Sequence, residues 1–168
     1  MRFELTKGLV LALAIAAGGL SVSACNRGAD PAVLAANDKA AKDFLEKNAK
    51  AEGVVTLPSG VQYKVLKAGA ATGQSPKLID TVKVHYEGKL IDGKIFDSSY
   101  ERGTPAVFGL QNLVPAWQEA LPKMKPGDVW ELYVPPAMGY GEMGAGEIPP
   151  NSVLIFKIEL VDFRPAKR

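Results

Sequence analysis

Apolar and polar positions alternate with period two from Val82 to Glu87. Val82, Val84 and Tyr86 fall on one side, Lys83, His85 and Glu87 on the other. This is the pattern of a strand buried on one face. Asp92-Gly93 follows and predicts a two-residue hairpin of type I′, with positive φ at both central residues. The return strand carries Ile95 and Phe96 and stops at Asp97-Ser98-Ser99. One hairpin thus gathers Tyr86, Phe96 and a carboxylate. The same alternation puts Val61, Tyr63 and Val65 on one face of an earlier strand. Further on it sets Trp130, Leu132 and Val134 against Glu131 and Tyr133, and aligns Leu154, Phe156, Ile158 and Leu160 in a last strand. Shorter apolar runs at 54–57 and at Val107-Phe108 are strand-like too.

Helical patterning shows in two places. Residues 32–51 are rich in Ala, Lys, Glu and Leu, with a narrow stripe of Ala40, Ala41, Phe44, Leu45 and Asn48. Asp30-Pro31 or Asn37-Asp38 could open this helix, and Gly53 is placed to cap its end. Its thin stripe suits a spacer, an arm packed on the domain, or half of a dimer interface, the spacer being the commonest of the three. The second helix is short. Pro115 suits a first-turn position, Pro122 prevents continuation, and Trp117 and Leu121 share a face. With about two turns it depends on packing, so Trp117 is a core residue or a pocket floor. About five strands joined by hairpins and loops, with this helix between the late ones, predict an α+β domain. The helix packs across one face of a mostly antiparallel, twisted sheet.

Composition narrows the chemistry. The 168 residues allow one domain with a substantial core plus an appendage. A net charge of +2 gives no field for nucleic acid. One Cys excludes an intrachain disulfide framework, and one His without Cys companions argues against structural zinc. No metal or cofactor is expected. The loop at 135–150 is rich in Gly and Pro, and a loop of that length is usually functional or disordered.

Residues 1–24 read as an export signal. Arg2 and Lys7 give a weakly positive start, diluted by Glu4, and 8–20 is an apolar run of signal-core length, short for a membrane span. Val22-Ser23-Ala24-Cys25 resembles the lipobox of bacterial lipoproteins, whose Cys becomes the lipidated first residue. Ordinary cleavage after Ala24 also fits the small-x-small rule, but the chain's one Cys falls at this position. The lipoprotein reading implies an acyl (palmitate-type) anchor on Cys25, more than one chain being needed for stable attachment. Asn26, rather than Asp, leans towards the outer membrane under the sorting rule of enteric bacteria, with the protein facing the periplasm.

Other motifs carry less. Gly139-Tyr140-Gly141-Glu142-Met143-Gly144 fits G-x-G-x-x-G, but prolines flank it and no helix N-terminus follows for a pyrophosphate. Its glycines are better suited to a tightly turning flap that holds Tyr140 out. His85 falls on the solvent side of its strand, and no Ser has a nucleophile-elbow context, so covalent catalysis is not supported. Asp97 is the one carboxylate beside aromatics, with Arg102 the nearest partner for it.

The aromatics Tyr86, Phe96, Phe108, Trp117, Tyr140 and Phe156 would ordinarily be core. Their order and company resemble a known family. Val-His-Tyr-Glu-Gly-Lys-Leu-x-Asp-Gly-Lys-x-Phe-Asp-Ser-Ser from Val84, then Pro-x-x-Phe, Leu-Val-Pro-x-Trp-x-Glu-Ala-Leu, Met-Gly-Tyr-Gly and Ile-Pro-Pro-Asn-x-x-Leu-Ile-Phe, resemble the FK506-binding-protein peptidyl-prolyl isomerases. The resemblance runs from about 54 to 163, and residues 44–63 look like the exported bacterial branch that includes the macrophage infectivity potentiators. It implies a half-barrel wrapped around the short helix. The implied organisation is a signal peptide at 1–24, a lipidated tether and helical arm at 25–53, and an isomerase domain at 54–168.

By the same resemblance Trp117 is the floor under the proline ring, and Asp97, Tyr140, Phe96 and Trp117 are the catalytic set. Tyr86, Phe108, Leu113, Val114, Ile148 and Phe156 bind substrate or inhibitor, and the Val114 N–H is a second donor beside the Tyr140 hydroxyl. Ala116 stands where many members have Gly, Ala106 where some place an aromatic, and Met138-Gly139 where Leu-Ala is commoner. These departures touch rim shape and sequence preference. The implied partners are proline-containing polypeptides and FK506-like macrolides, with a homodimer through the N-terminal helix left open. The expected activity is isomerisation of X-Pro bonds in folding envelope proteins. A chaperone or adaptor on the same fold, with weak or no turnover, is the competing reading.

Overall fold

The alternating stretch lies inside a ten-residue strand, β3 (Thr81–Leu90), on which the sheet is built. The computed structural model describes residues 30–69 and 72–166. β3 pairs along its length with the eleven-residue β7 (Leu154–Arg164). Its other edge is shared by two short strands: β5 (Ala106–Gly109) covers Thr81 to Val84, and β4 (Ile95–Ser98) covers Glu87 to Lys89. On the far side β7 is followed by β6 (Val129–Val134), β2 (Gln62–Lys67) and β1 (Val54–Thr56). Every pairing is antiparallel. The sheet has seven strands rather than about five, because the short runs at 54–57, Ile95-Phe96 and Val107-Phe108 all pair into it as β1, β4 and β5.

The helix α2 (Pro115–Ala120) packs on one face of this sheet. Ala116, Trp117, Ala120 and Leu121 share a core with Val82, Val84, Leu132, Val134, Ile158 and Leu160, all buried. Pro115 occupies the first turn as expected, and Pro122 lies in a 3-10 turn, Leu121–Lys123, that ends the helix. With about two turns of its own, α2 relies on this burial.

The β3–β4 turn differs from expectation. Gly93 has φ +90°, but Asp92 does not share the positive φ that a type I′ turn needs. Instead the Gly93 N–H donates to the Leu90 carbonyl (3.0 Å) and the Leu90 N–H to the Lys94 carbonyl (2.9 Å). This is a three-residue loop ending in a left-handed glycine. The Asp92 carboxylate accepts the Lys94 N–H (2.9 Å), which the L-residue can do without entering the left-handed region.

The arm helix α1 (Pro31–Asn48) starts at Asp30, whose side chain accepts the Ala32 N–H, so the earlier of its two candidate starts is used. It ends at Ala49. Gly53 (φ +77°) instead serves the turn into β1. The helix is a packed arm rather than a spacer. Ala41 is buried, Phe44 tilts against Tyr133 at 6.1 Å, and the buried Gln62 exchanges hydrogen bonds with Asn48 (2.8 Å) and the Leu45 carbonyl (2.9 Å). This cover also explains why Tyr133, on the outer side of β6, is buried. Val65, assigned the same face as Val61, is 45% exposed, next to the point where the β2–β6 register shifts. The region 1–29, with Cys25 and the export signal, and residues 167–168 lie outside the described residues. No helix among the described residues is long and apolar enough to cross a membrane.

Candidate active site

A cavity of about 350 Å³ opens at the rim of the sheet where α2 begins. Trp117 forms its floor and is only 3% exposed. Three rings stand nearly perpendicular to it: Phe156 at 5.2 Å, Tyr86 at 5.4 Å and Phe108 at 6.4 Å. Phe96 meets Phe156 edge-on at 5.7 Å. Edge-to-face contacts match the ring quadrupoles and fix each ring's orientation.

Each wall has a local cause. Tyr86 is in phase with Val82 and Val84 on the buried side of β3, so its ring reaches the cavity. Ser99, fully buried, clamps it: its hydroxyl accepts the Tyr86 N–H (2.8 Å), and its N–H donates to the Tyr86 carbonyl (2.9 Å). Gly88, next on that face, makes room for two walls. A Cβ there would lie 2.6 Å from the Phe96 ring and 2.8 Å from Phe156. Val114, extended, leads into Pro115 and so turns Trp117 inward. The Gln118 amide ties the preceding loop down, donating to the carbonyls of Leu113 (2.7 Å) and Gln111 (3.1 Å).

The polar rim is a closed triangle. The two Asp97 oxygens accept the Tyr86 hydroxyl and the Arg102 guanidinium, and Arg102 also donates to the Tyr86 hydroxyl at 3.0 Å. The guanidinium sits over the Tyr86 ring at 5.5 Å. Partial burial pushes the Asp97 carboxyl up, but hydrogen bonds from Tyr86 and Arg102 and the Arg102 charge outweigh it and hold the group below the usual carboxylate range. Burial, then the Asp97 hydrogen bond, pushes the Tyr86 phenol up. The rim thus carries an ionised acid and a neutral phenol at neutral pH. Neither is poised to move a proton.

Of the expected site residues the cavity brings together Asp97, Tyr140, Phe96, Trp117, Tyr86, Phe108, Leu113, Val114 and Phe156. Ile148 does not line it. Gly144 approaches the Ile148 carbonyl so closely that a Cβ would come within 2.3 Å, and the tight turn tucks Ile148 into the core at 8% exposure. Asn112 lines the cavity and was not anticipated, since an isolated Asn in a loop has no pattern to mark it. Arg102 was anticipated only as a partner for Asp97, and it reaches Tyr86 as well. His85 lies apart, stacked on Tyr100 at 4.9 Å with its Nδ1 3.0 Å from the Ser99 hydroxyl. The Val114 N–H and the Tyr140 hydroxyl have no protein partner among the described residues. Tyr140 is 40% exposed. The G-x-G-x-x-G stretch follows one 3-10 turn (Pro136–Met138) and contains another (Gly141–Met143), with no helix after them, so it has no pyrophosphate geometry. Among the described residues no group of three or more His, Cys, Asp or Glu could hold a metal ion.

The family described as FKBP-type peptidyl-prolyl cis-trans isomerase matches residues 72–161, and the domain amino terminal to FKBP-type peptidyl-prolyl isomerase matches 24–65. The chain is 54% identical over 129 residues to the peptidyl-prolyl cis-trans isomerase Mip of Coxiella burnetii, covering 76% of this chain and 55% of that protein. It is 47% identical over 124 residues to the outer membrane protein MIP of Legionella longbeachae, covering 73% and 52% respectively. The crystal structure of FkpA from Escherichia coli superposes with a TM-score of 0.76 at 46% identity, covering 80% of this chain and 62% of that one. The chain spans about half the length of the curated relatives it matches.

Proposed function

The chain belongs to the FKBP-type peptidyl-prolyl cis-trans isomerase family, and on that premise we propose that the Trp117 cavity takes up proline-containing segments and accelerates rotation about the X-Pro bond. The observation that carries this reading is the aromatic box itself: an apolar floor and walls, with a polar triangle at the rim.

Rotating an amide costs about 18–20 kcal/mol because resonance is lost as the bond twists. The twisted amide has a less polar carbonyl and a more pyramidal nitrogen than the planar one. An apolar pocket that excludes water therefore favours the twisted state over the planar amide, which prefers water. This is differential binding of the transition state and uses no nucleophile. Lowering the barrier by about 7 kcal/mol gives roughly five powers of ten in rate.

In this reading Trp117 supports the proline ring, and Phe96, Tyr86, Phe108, Leu113 and Phe156 surround it. The Tyr140 hydroxyl and the Val114 N–H bond substrate carbonyls. Asp97 holds Tyr86 and Arg102 in place and presents its charge near the twisting carbonyl. A macrolide shaped like a twisted prolyl amide would compete for the same box.

Residues 54–168 act as the isomerase domain, with 25–53 as tether and arm and 1–24 as signal. Placement in a bacterial envelope on an acylated Cys25 is supported by the Val22-Ser23-Ala24-Cys25 pattern and by a relative named as an outer membrane protein. A protease-coupled assay on X-Pro peptides tests the activity. The expected result is saturable acceleration; folded protein that accelerates nothing would leave only a binding module.

A further inference from the structure

The flap that carries Tyr140 sends Ile148 and Met138 to the core but has few hydrogen bonds of its own to the sheet. Between Pro135 and Asn151 it is closed by a pair of bonds between Ala145 and Ile148 (3.0 and 2.8 Å). A bond from the Asn151 N–H to the Gly141 carbonyl (2.9 Å) fixes the residue next to Tyr140. Its return arm contains Pro149-Pro150, which offers no N–H and so cannot join a strand ladder. An ion pair from Glu147 to Lys94 (3.0 Å) links the flap to the β3–β4 turn, but both side chains are more than half exposed and such a pair contributes little.

The firmer link comes from the arm helix, more than a hundred residues away in sequence. The Asn37 amide donates to the Pro150 carbonyl at 2.7 Å, and the Asn151 amide donates back to the Leu34 carbonyl at 3.4 Å. Asn151 adopts φ +52° to make this turn, the one non-glycine residue with positive φ among the described residues. A cleft of about 130 Å³ remains in the seam, between Asn37, Ala40 and Ala41 on one side and Leu90, Pro149 and Val153 on the other. Ala41, Leu90 and Val153 are buried around this cleft, and the two amides bridge it.

We propose that α1 seats the flap, and that Asn37, through Pro150 and Asn151, is a positioning residue for Tyr140. The path is short. Asn37 holds Pro150, Asn151 follows it and bonds Gly141, and Gly141 is joined to Tyr140. Loss of the Asn37 bond lets the return arm move and releases the Tyr140 hydroxyl from its place at the cavity mouth. The proposal rests on the isomerase reading for its effect on turnover, but not for its effect on the flap.

The test uses Asn37→Asp in the full chain, because a carboxylate of the same shape cannot donate to the Pro150 carbonyl. Hydrogen exchange at the Asn151 amide, followed by NMR, should quicken about three- to tenfold, as expected for one lost hydrogen bond. The kcat/KM on X-Pro peptides should fall by a similar factor. In a Tyr140→Phe background the same substitution should cost almost nothing further, because the two changes act through one group. Lys39→Ala, on the exposed side of α1, should change neither readout. Asn151→Gly, which tolerates the positive φ but loses the bond to Leu34, should quicken flap exchange as well, and it serves if Asn37→Asp does not fold.

Unchanged exchange in these variants overturns the seating. Faster exchange with unchanged kcat/KM, or a loss fully additive with Tyr140→Phe, overturns the positioning role. If the unmodified protein has no isomerase activity, the functional reading fails and exchange at Asn151 alone decides whether α1 seats the flap.

Discussion

Both oxygens of Asp97 are already engaged by the protein, one by Tyr86 and one by Arg102. The group holds a wall in place and is not poised to attack a substrate. Its carboxyl is held below the usual range, so the bonds to its charged form stabilise the fold above the unfolded value of about 3.9. That stability is lost as pH falls through the lower folded value. The unfolding midpoint of Asp97→Asn should therefore lie below that of the unmodified protein at pH 7, and the gap should shrink below about pH 4. Between pH 5 and 9 kcat/KM should stay flat, since Asp97 remains ionised and the Tyr86 phenol neutral; a bell-shaped profile would point to acid–base chemistry. Trp117→Ala should cost about 3–5 kcal/mol of stability in urea unfolding and remove most of the activity, because one ring serves both core and floor. At this scale the sequence showed what pattern can show. Tyr86, Phe96 and Asp97 follow from one alternating hairpin. Asn112 carries no such signal, and Ile148 is drawn inward by a close glycine approach that periodicity does not reveal.

Among the elements, the hairpin shows where local rules run out. Asp92-Gly93 marks the reversal correctly, but the choice between a two-residue turn and a three-residue loop depends on whether Asp92 takes positive φ, and its bond to the Lys94 N–H makes that unnecessary. The arm helix looked weakly apolar because two of the residues on its inner face, Asn37 and Asn48, hold the domain by hydrogen bonds. Asn48 was already placed in the stripe, whereas Asn37, read only as a possible helix start, carried no signal of its inward role. β3 makes a sharper prediction. Gly88→Ala would press a methyl into Phe96 and Phe156, so it should cost about 1–3 kcal/mol in stability and lower kcat/KM about tenfold. A neutral outcome in both assays would mean that the walls yield easily and that the box is less rigid than its edge-to-face contacts imply.

For the molecule as a whole, the cavity is assembled from β3, β4, β5, α2, the flap and β7, so its parts are distant in sequence and meet only when the sheet closes. The aromatics could be named from the chain, and their common cavity needed the fold. Anchoring belongs to this scale too. Labelling with a fatty acid should mark the unmodified protein and leave Cys25→Ala unlabelled; equal labelling would remove the anchor. The central claim is tested most directly by the protease-coupled isomerase assay on X-Pro peptides, run with and without a macrolide that mimics a twisted prolyl amide. The account predicts saturable acceleration that the macrolide abolishes in the unmodified protein and that Trp117→Ala largely lacks. Folded protein giving no acceleration, or acceleration indifferent to both the macrolide and Trp117, would contradict it.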